Sequence, residues 1–473
     1  MVSAEKKQAK VILRDYSLTG NESLRAIKQG LADAEWYKIP VDKEKMNELL
    51  TRKNGAGIRD TILWFGLIIT SGYLFLFWWG TWLAIVPYIV YSVLYASISD
   101  SRWHESSHGT VFKTDWMNNV LYEIASFMVF RQSNVWRWSH SRHHSDTIIR
   151  GRDPEIAVPR PPKVFKIMLA FIGLSGGIPE FKRLIVHASG KMDTQAATYV
   201  PASEYGRVFF VARIYLLVYL IVIGLAIYFQ SILPLMYIGL PTLLGSWLMP
   251  FYSLTQHTGL QENVLDHRLN CRTVYMNRIN RFLYWNMNYH IEHHMYPLVP
   301  YHALSKLHAL IKHDCPTPYN GIVDAFREIV PAVIKQIKTP TYYVKRTLPA
   351  SADSKTADSI THFVGDLSDL QDGKIKVCRM DQIGLANVAR FDFDEKTYAV
   401  YRTANDEYFA TDGICSHGKT HLAEGMVIGG IIECPKHNGR FNIKDGTPAR
   451  KPVCERINAY IIHPIGSDLF LEL

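Results

Sequence analysis

The chain of 473 residues is poor in cysteine, with six. At that density a disulfide framework is excluded. No lysine- and arginine-rich tract with interleaved aromatics occurs, so no nucleic-acid partner is expected from the formal charge of +9. The excess suits an anionic lipid surface better. No GxGxxG fingerprint occurs, so nothing points to a dinucleotide site within the chain. The opening "MVSAEKKQAKVILRDYSLTGNES" holds no apolar h-region, and no cleaved signal peptide is expected.

What is present is a mixture. Apolar residues are 48% and the mean hydropathy is −0.03, which fits apolar spans joined to polar regions. The length gives a prior of two or three domains. Residues 1–58 are polar and basic, and "NESLRAIKQGLADAEWY" reads as a short helix with Asn21 or Ser23 as N-cap. Two apolar runs follow, 62–79 and 82–98, each long enough or nearly so to cross roughly 30 Å of hydrocarbon. Trp78, Trp79 and Trp82 cluster at the turn between them, where interfacial aromatics belong. A second hairpin is expected from 208–229 and 232–254, with Arg213 inside the first run and Pro234, Pro241 and Pro250 kinking the second. Stretch 120–130 is too short to span. Stretch 164–181 is broken by Gly173, Gly176, Gly177 and Pro179, so it reads as interfacial. Lysine and arginine avoid both hairpin turns, which places the two ends and the 100–207 segment in the cytoplasm.

The histidines are patterned. "HESSH" holds His104 and His108, "HSRHH" holds His140, His143 and His144, and "HIEHH" holds His290, His293 and His294. Positions i, i+3 and i+4 share one helix face at about 100° per residue, so each set can converge. A lone HxxxH arises by accident about once in a chain with 19 histidines, but two HxxHH triplets do not. Neutral imidazole is a common ligand for iron, zinc and copper. His257, in "SLTQHTGL", ends the fourth apolar run in the same layer; alone it reads equally as ligand or structural residue. The eight clustered histidines already exceed one zinc site, which usually closes with four ligands.

After 348 the pattern changes. "LPASADSKTADSITHFVGDLSDLQDG" is charged and Ser/Asp-rich, as linkers are. Beyond it, short runs such as "KTYAVYR" and "RFNIKDG", bounded by glycine and aspartate, carry an all-β signature. Here stand "CSH" (Cys415, His417) and "CPKH" (Cys434, His437), sixteen residues apart. Cys271, Cys315, Cys378 and Cys454 lack such spacing and read as structural. His421 matches no ligand position and reads as a surface loop residue or an electron-exit edge.

Two hairpins with HxxxH, HxxHH and HxxHH on the cytoplasmic side resemble the membrane-bound fatty acid desaturase family. "MNYHIEHHMYPLVPYHAL" resembles its acyl-lipid branch in particular. The resemblance implies two irons held by His104, His108, His140, His143, His144, His290, His293 and His294, with His257 as the extra ligand. Animal acyl-CoA desaturases carry an asparagine four residues before that extra histidine, where this chain has Ser253. The C-x-H…C-x-x-H pattern resembles a Rieske [2Fe–2S] domain, with Cys415 and Cys434 on one iron and His417 and His437 on the other. A zinc knuckle is the rival reading. The loops lack the extra cysteine pair of high-potential respiratory Rieske proteins, which implies the ferredoxin type.

The expected architecture is an all-α multi-pass membrane domain, with four transmembrane helices and a cytoplasmic helical cap, plus a C-terminal all-β Rieske domain. Its parts are an N-terminal cytoplasmic helical segment (1–58), the membrane domain (59–340), a linker (341–368) and the Rieske domain (369–473). The expected activity is O2-dependent insertion of a double bond into a fatty acyl or other aliphatic substrate, with hydroxylation as the alternative. A membrane electron-transfer protein is the non-enzyme alternative. The cofactors implied are two iron ions and one [2Fe–2S] cluster. The partners implied are O2, a lipid or aliphatic substrate, the membrane and a separate NAD(P)H-dependent ferredoxin reductase. The expected location is a bacterial cytoplasmic membrane, with both termini and the active site on the cytoplasmic side.

Overall fold

A computed structural model describes residues 14–32, 34–349, 360–436 and 438–473. The N-terminal helix forms over Asn21–Lys28, with Gly20 rather than Asn21 or Ser23 as its N-cap. The Asp15 carboxylate lies where a Gly20 Cβ would sit, so a side chain there would displace it.

The first apolar run is the helix Asn54–Phe77, and the second runs from Trp82 through the first histidine set to His108. Both are long and apolar enough to cross a membrane, as is Ala202–Tyr228. Phe210, Leu217, Leu220, Ile221 and Ile227 face outward from the last of these, as a lipid-facing helix requires. Its Arg213 donates to the Ala188 carbonyl at 3.1 Å, which satisfies a helix end.

The expected fourth span at 232–254 is not one helix. It is three short ones, Leu233–Tyr237, Leu240–Leu244 and Leu248–His257. Pro234 and Pro241 stand at helix starts, and Gly239 takes φ +108, so the hydrogen-bond ladder cannot run through. A fourth span is counted among the described residues only if Val164–Ala170 and Leu174–Ala188, bent by 79°, are taken as one.

The cap is held by two buried clusters. Ile39, Val41, Leu49 and Leu50 pack on Leu298, Val299, Leu304, Leu307 and Ile311, joining the N-terminal segment to the chain after the third histidine set. Trp64, Tyr88, Tyr91 and Tyr95 pack with Tyr252, Tyr284 and Trp285. The fully buried Arg102 donates to the Leu283 carbonyl at 2.6 Å and lies over Trp285. It pins the first-set helix to the segment that leads into the third.

The C-terminal unit is all β. One sheet has the order Thr361–Val364, Asn387–Phe393, Lys396–Arg402, Tyr408–Asp412, Ala459–Tyr460, its first pair parallel. A second orders Pro448–Arg450, Arg440–Asn442, Ile431–Glu433, Met426–Ile428, and a third orders Ile462–Ile465, Asp468–Glu472, Lys374–Arg379, Leu370–Gln371. Strand Thr361–Val364 lies inside the segment expected to be linker, so the sheet begins before residue 369.

Candidate metal centre and its neighbouring cluster domain

The three histidine sets and His257 meet in one buried layer. His104 and His108 end the helix Ser97–His108, where Gly109 (φ +65) stops it. His140, His143 and His144 lie on Ser133–Ser145, and His290, His293 and His294 on His290–Met295. His257 closes Leu248–His257.

Ring nitrogens of His104, His108, His140, His144 and His293 lie within 4.8 Å of one another, and so do those of His143, His257, His290 and His294. All nine expected residues fall into these two groups. Each HxxHH triplet is divided: its i and i+4 members join one group and its i+3 member the other. A triplet, unlike a pair, therefore ties two sites together.

The second nitrogens of four histidines, His140, His143, His257 and His294, have a hydrogen-bond partner behind the ring. His143 Nδ1 sits 2.9 and 3.0 Å from the Asp153 oxygens, and His140 Nδ1 3.1 Å from Glu155. His257 Nδ1 lies 2.8 Å from the Asn270 carbonyl, and His294 Nδ1 3.2 Å from Thr147. Glu105 Oε1 stands 3.5 Å from Nδ1 of both His104 and His293. An Nδ1 that donates to an oxygen leaves Nε2 as a bare lone pair. Across the sets, Nε2 atoms face one another: His108–His140 at 3.1 Å, His144–His293 at 3.2 Å, His257–His290 at 2.9 Å. Lone pairs converging in a buried site call for a cation, so the donor set fits two metal ions. Burial first, and then the neighbouring imidazoles, hold His140, His144, His290, His293 and His294 well below the usual histidine range, hence neutral as ligands must be. Burial also lowers His143, but the Asp153 charge and hydrogen bond outweigh it and raise that residue.

Asp153, Glu155, Thr147, Asn270 and Glu105 were not legible as site residues, because no periodic spacing marks them. A further buried trio, His267, Cys271 and His294, lies beside the four-histidine group, with His267 stacked on Trp36 at 4.2 Å. Glu292, inside the third set, belongs to neither histidine group; it binds Thr273 at 2.6 Å and His308 at 2.5 Å.

A cavity of about 580 Å3 reaches His104, His140, His143 and His290. Ile156, Val158, Ile167 and Leu254 form apolar wall, and Asp100, Arg131, Glu155, Glu180 and Arg183 form charged wall. Ser253 lines it too.

In the β unit, Cys415 and Cys434 are buried side by side. The Cys434 thiol foremost, against the effect of burial, lowers the Cys415 thiol to about 7, aided by the Gly418 and His417 amides. His417 is half-buried beside them, while His437 lies outside the described residues. Two adjacent buried thiols, with Cys415 lowered, beside a histidine suit a cluster of thiolate and imidazole ligands. His421 is neither a surface loop residue nor an exposed edge. It is buried, its Nδ1 accepts from the Ala423 amide at 3.0 Å, and its Nε2 meets Thr397 at 2.7 Å, so it is a local cap.

The fatty acid desaturase family model matches residues 78–325, and the Rieske [2Fe-2S] domain model matches residues 373–461. The chain is similar to Ferredoxin CarAc of Metapseudomonas resinovorans, 40% identical over 104 residues, 22% of this chain and 85% of that protein. It is also similar to the anthranilate 1,2-dioxygenase ferredoxin subunit of Burkholderia cepacia, 43% identical over 75 residues, 16% of this chain and 68% of that protein. A solved complex of reduced oxygenase and oxidized ferredoxin in carbazole 1,9a-dioxygenase matches with 31% identity over 20% of this chain and 98% of its own, at a TM-score of 0.20.

Proposed function

Because this chain belongs to the fatty acid desaturase family and carries a Rieske [2Fe–2S] domain, with the di-iron centre and the cluster that these imply, we propose that it is a membrane-bound oxidoreductase that inserts a double bond into a fatty acyl or other aliphatic substrate. The observation that carries the reading is the pair of histidine groups opening on one cavity. In this reading the five-histidine group holds one iron and the four-histidine group the other, and Cys415, His417, Cys434 and His437 hold the cluster.

When bound, the two irons supply O2 activation and hydrogen abstraction. The chain's residues do the rest. Asp153 and Glu155 hold the ring tautomers, so that Nε2 of His143 and His140 stays free for metal. The apolar wall, with Ile156, Val158 and Leu254, excludes water from the substrate carbon. Four electrons reduce O2 to water; desaturation draws two from the substrate and two from a donor. The Rieske domain is the donor, and a separate NAD(P)H-dependent reductase recharges it one electron at a time. The lysine and arginine asymmetry supports a cytoplasmic position for the site and both termini, and the membrane in this reading is a bacterial cytoplasmic one.

Hydroxylation of a compact aliphatic substrate is the second reading. It is favoured by the charged wall, since Asp100, Arg131, Glu180 and Arg183 suit a polar group better than an alkyl tail. The test is expression with a reductase, followed by profiling of lipids and small metabolites. Loss of two hydrogens supports the first reading, gain of one oxygen the second, and neither change refutes both.

A further inference from the structure

The cluster domain is docked on the cap of its own chain, with both ligand loops toward the histidine layer. Asn438, one residue past His437, donates to the His108 carbonyl at 2.9 Å. Arg450 donates to the same carbonyl at 2.8 Å. The Arg450 guanidinium lies over the Gly109 backbone, where a Cβ would be 1.7 Å from it, and Gly109 itself is held at φ +65. A second contact is aromatic: the His417 ring lies 5.9 Å from Trp138, which shares its helix with His140, His143 and His144. A cleft of about 420 Å3 between the two parts is lined by His144, His267 and His294 on one side and by Lys419, Pro435 and Lys436 on the other.

Ion pairs hold this arrangement. Arg52, at the foot of the first span, meets Glu433 at 2.9 Å with both side chains buried. Lys38–Glu424 and Arg440–Asp115, each at 2.6 Å, and Lys451–Glu204 lie nearer the rim. Glu433 directly precedes Cys434, so the buried pair anchors one ligand loop itself.

We propose that this docked arrangement is the electron-delivery state, and that the cluster feeds the di-iron centre of its own chain through two contacts. They are Asn438 and Arg450 on the His108 carbonyl, and His417 against Trp138. The proposal rests on the functional reading above. In each delivery the reduced cluster loses one electron and one ferric ion becomes ferrous; the NAD(P)H-dependent reductase then restores the cluster. Hydrogen bonds and packed rings shorten the through-space part of the path. Asn438, Arg450 and Trp138 are positioning residues in this scheme.

The test follows reoxidation of the dithionite-reduced cluster by its absorbance, in the full iron-loaded chain mixed with O2. A chain with His143→Ala supplies the background rate. If the unaltered chain is no faster than this background, the functional reading fails rather than the route. If it is faster, the proposal expects a rate independent of protein concentration. It also expects Asn438→Leu to slow reoxidation about tenfold, the equivalent of about 1.4 kcal/mol, with the cluster's EPR spectrum unchanged. An unchanged rate in Asn438→Leu overturns the route. A second measurement needs no substitution: zero-length carbodiimide coupling of Lys38 to Glu424, verified by mass spectrometry, locks the docked state. The locked chain should reoxidise its cluster at the native rate, and loss of that rate overturns the proposal. Mixing the His143→Ala chain with a Cys415→Ala chain should give only background, whereas recovery of the native rate shows delivery between chains and overturns it equally.

Discussion

Asp153→Asn probes the metal centre most selectively. Both oxygens of Asp153 lie within 3.0 Å of His143 Nδ1. One also accepts the Ile148 amide at 2.7 Å and the other the Glu155 amide at 2.8 Å. An asparagine keeps a single acceptor, so its NH2 must face one of these N–H donors. Loss of such an outer partner typically costs 10–100-fold in metal affinity, about 1.4–2.7 kcal/mol, and the lost second acceptor places this variant in the upper half of the range. His143 belongs to the four-histidine group, so one catalytic iron should be released at lower chelator concentration while the other stays. The assay is chelator titration with iron counted per chain and the cluster monitored by absorbance. Release curves that overlay those of the unaltered chain, or joint loss of both irons, would refute the division of ligands.

Further outcomes follow from the same geometry. His143→Ala and His293→Ala should each abolish turnover and leave the Rieske absorption intact; full activity in either removes that residue from the metal set. Burial lowers His143 but Asp153 lifts it above its ordinary 6.5, whereas His140, His144 and His293 are held below it. As pH falls through the raised value, protons compete at His143 first, so iron counts on protein equilibrated across pH should show the four-histidine site emptying before the five-histidine site. Thr81→Cys, in the turn after the first span, should react with an impermeant thiol reagent from the outer face only, and labelling from the cytoplasm overturns the orientation. Cleavage within 350–359 should slow turnover and leave it salt-sensitive, because the partly exposed Lys38–Glu424 and Arg440–Asp115 pairs are screened by salt; turnover indifferent to salt after cleavage would show that these pairs do not hold the domain.

His257, which ends an apolar run in the same layer, reads equally as ligand or structural residue without the family resemblance. The eight histidines of the three sets were legible because helical spacing forces i, i+3 and i+4 onto one face. The second span, continuing into His104 and His108, was legible for the same reason. The segment at 232–254 was not, since hydropathy registers apolar content and not the ladder that Pro234, Pro241 and Gly239 interrupt. Outer partners such as Asp153 were hidden, because their position depends on how the chain turns after Ser145 and not on any period. The Arg52–Glu433 pair joins residues 381 apart in sequence, a separation no local pattern can encode. His421 was misread because its ring caps a short turn, which looks in sequence like any exposed loop.

The first histidine set rides on a 27-residue helical stretch that is long and apolar enough to cross a bilayer. Ser97, at the break in that stretch, bonds the Gly245 carbonyl at 2.5 Å and the Met249 amide at 2.9 Å, so the neighbouring kinked segment moves with it. A helix advances about 1.5 Å per residue, and natural membranes differ in hydrocarbon thickness by a few Å. A bilayer too thick or too thin for this helix would therefore displace two of the five imidazoles of one site by a distance that matters to a metal bond. If the stretch spans, membrane thickness, set by acyl length and saturation, would be a mechanical input to the metal centre.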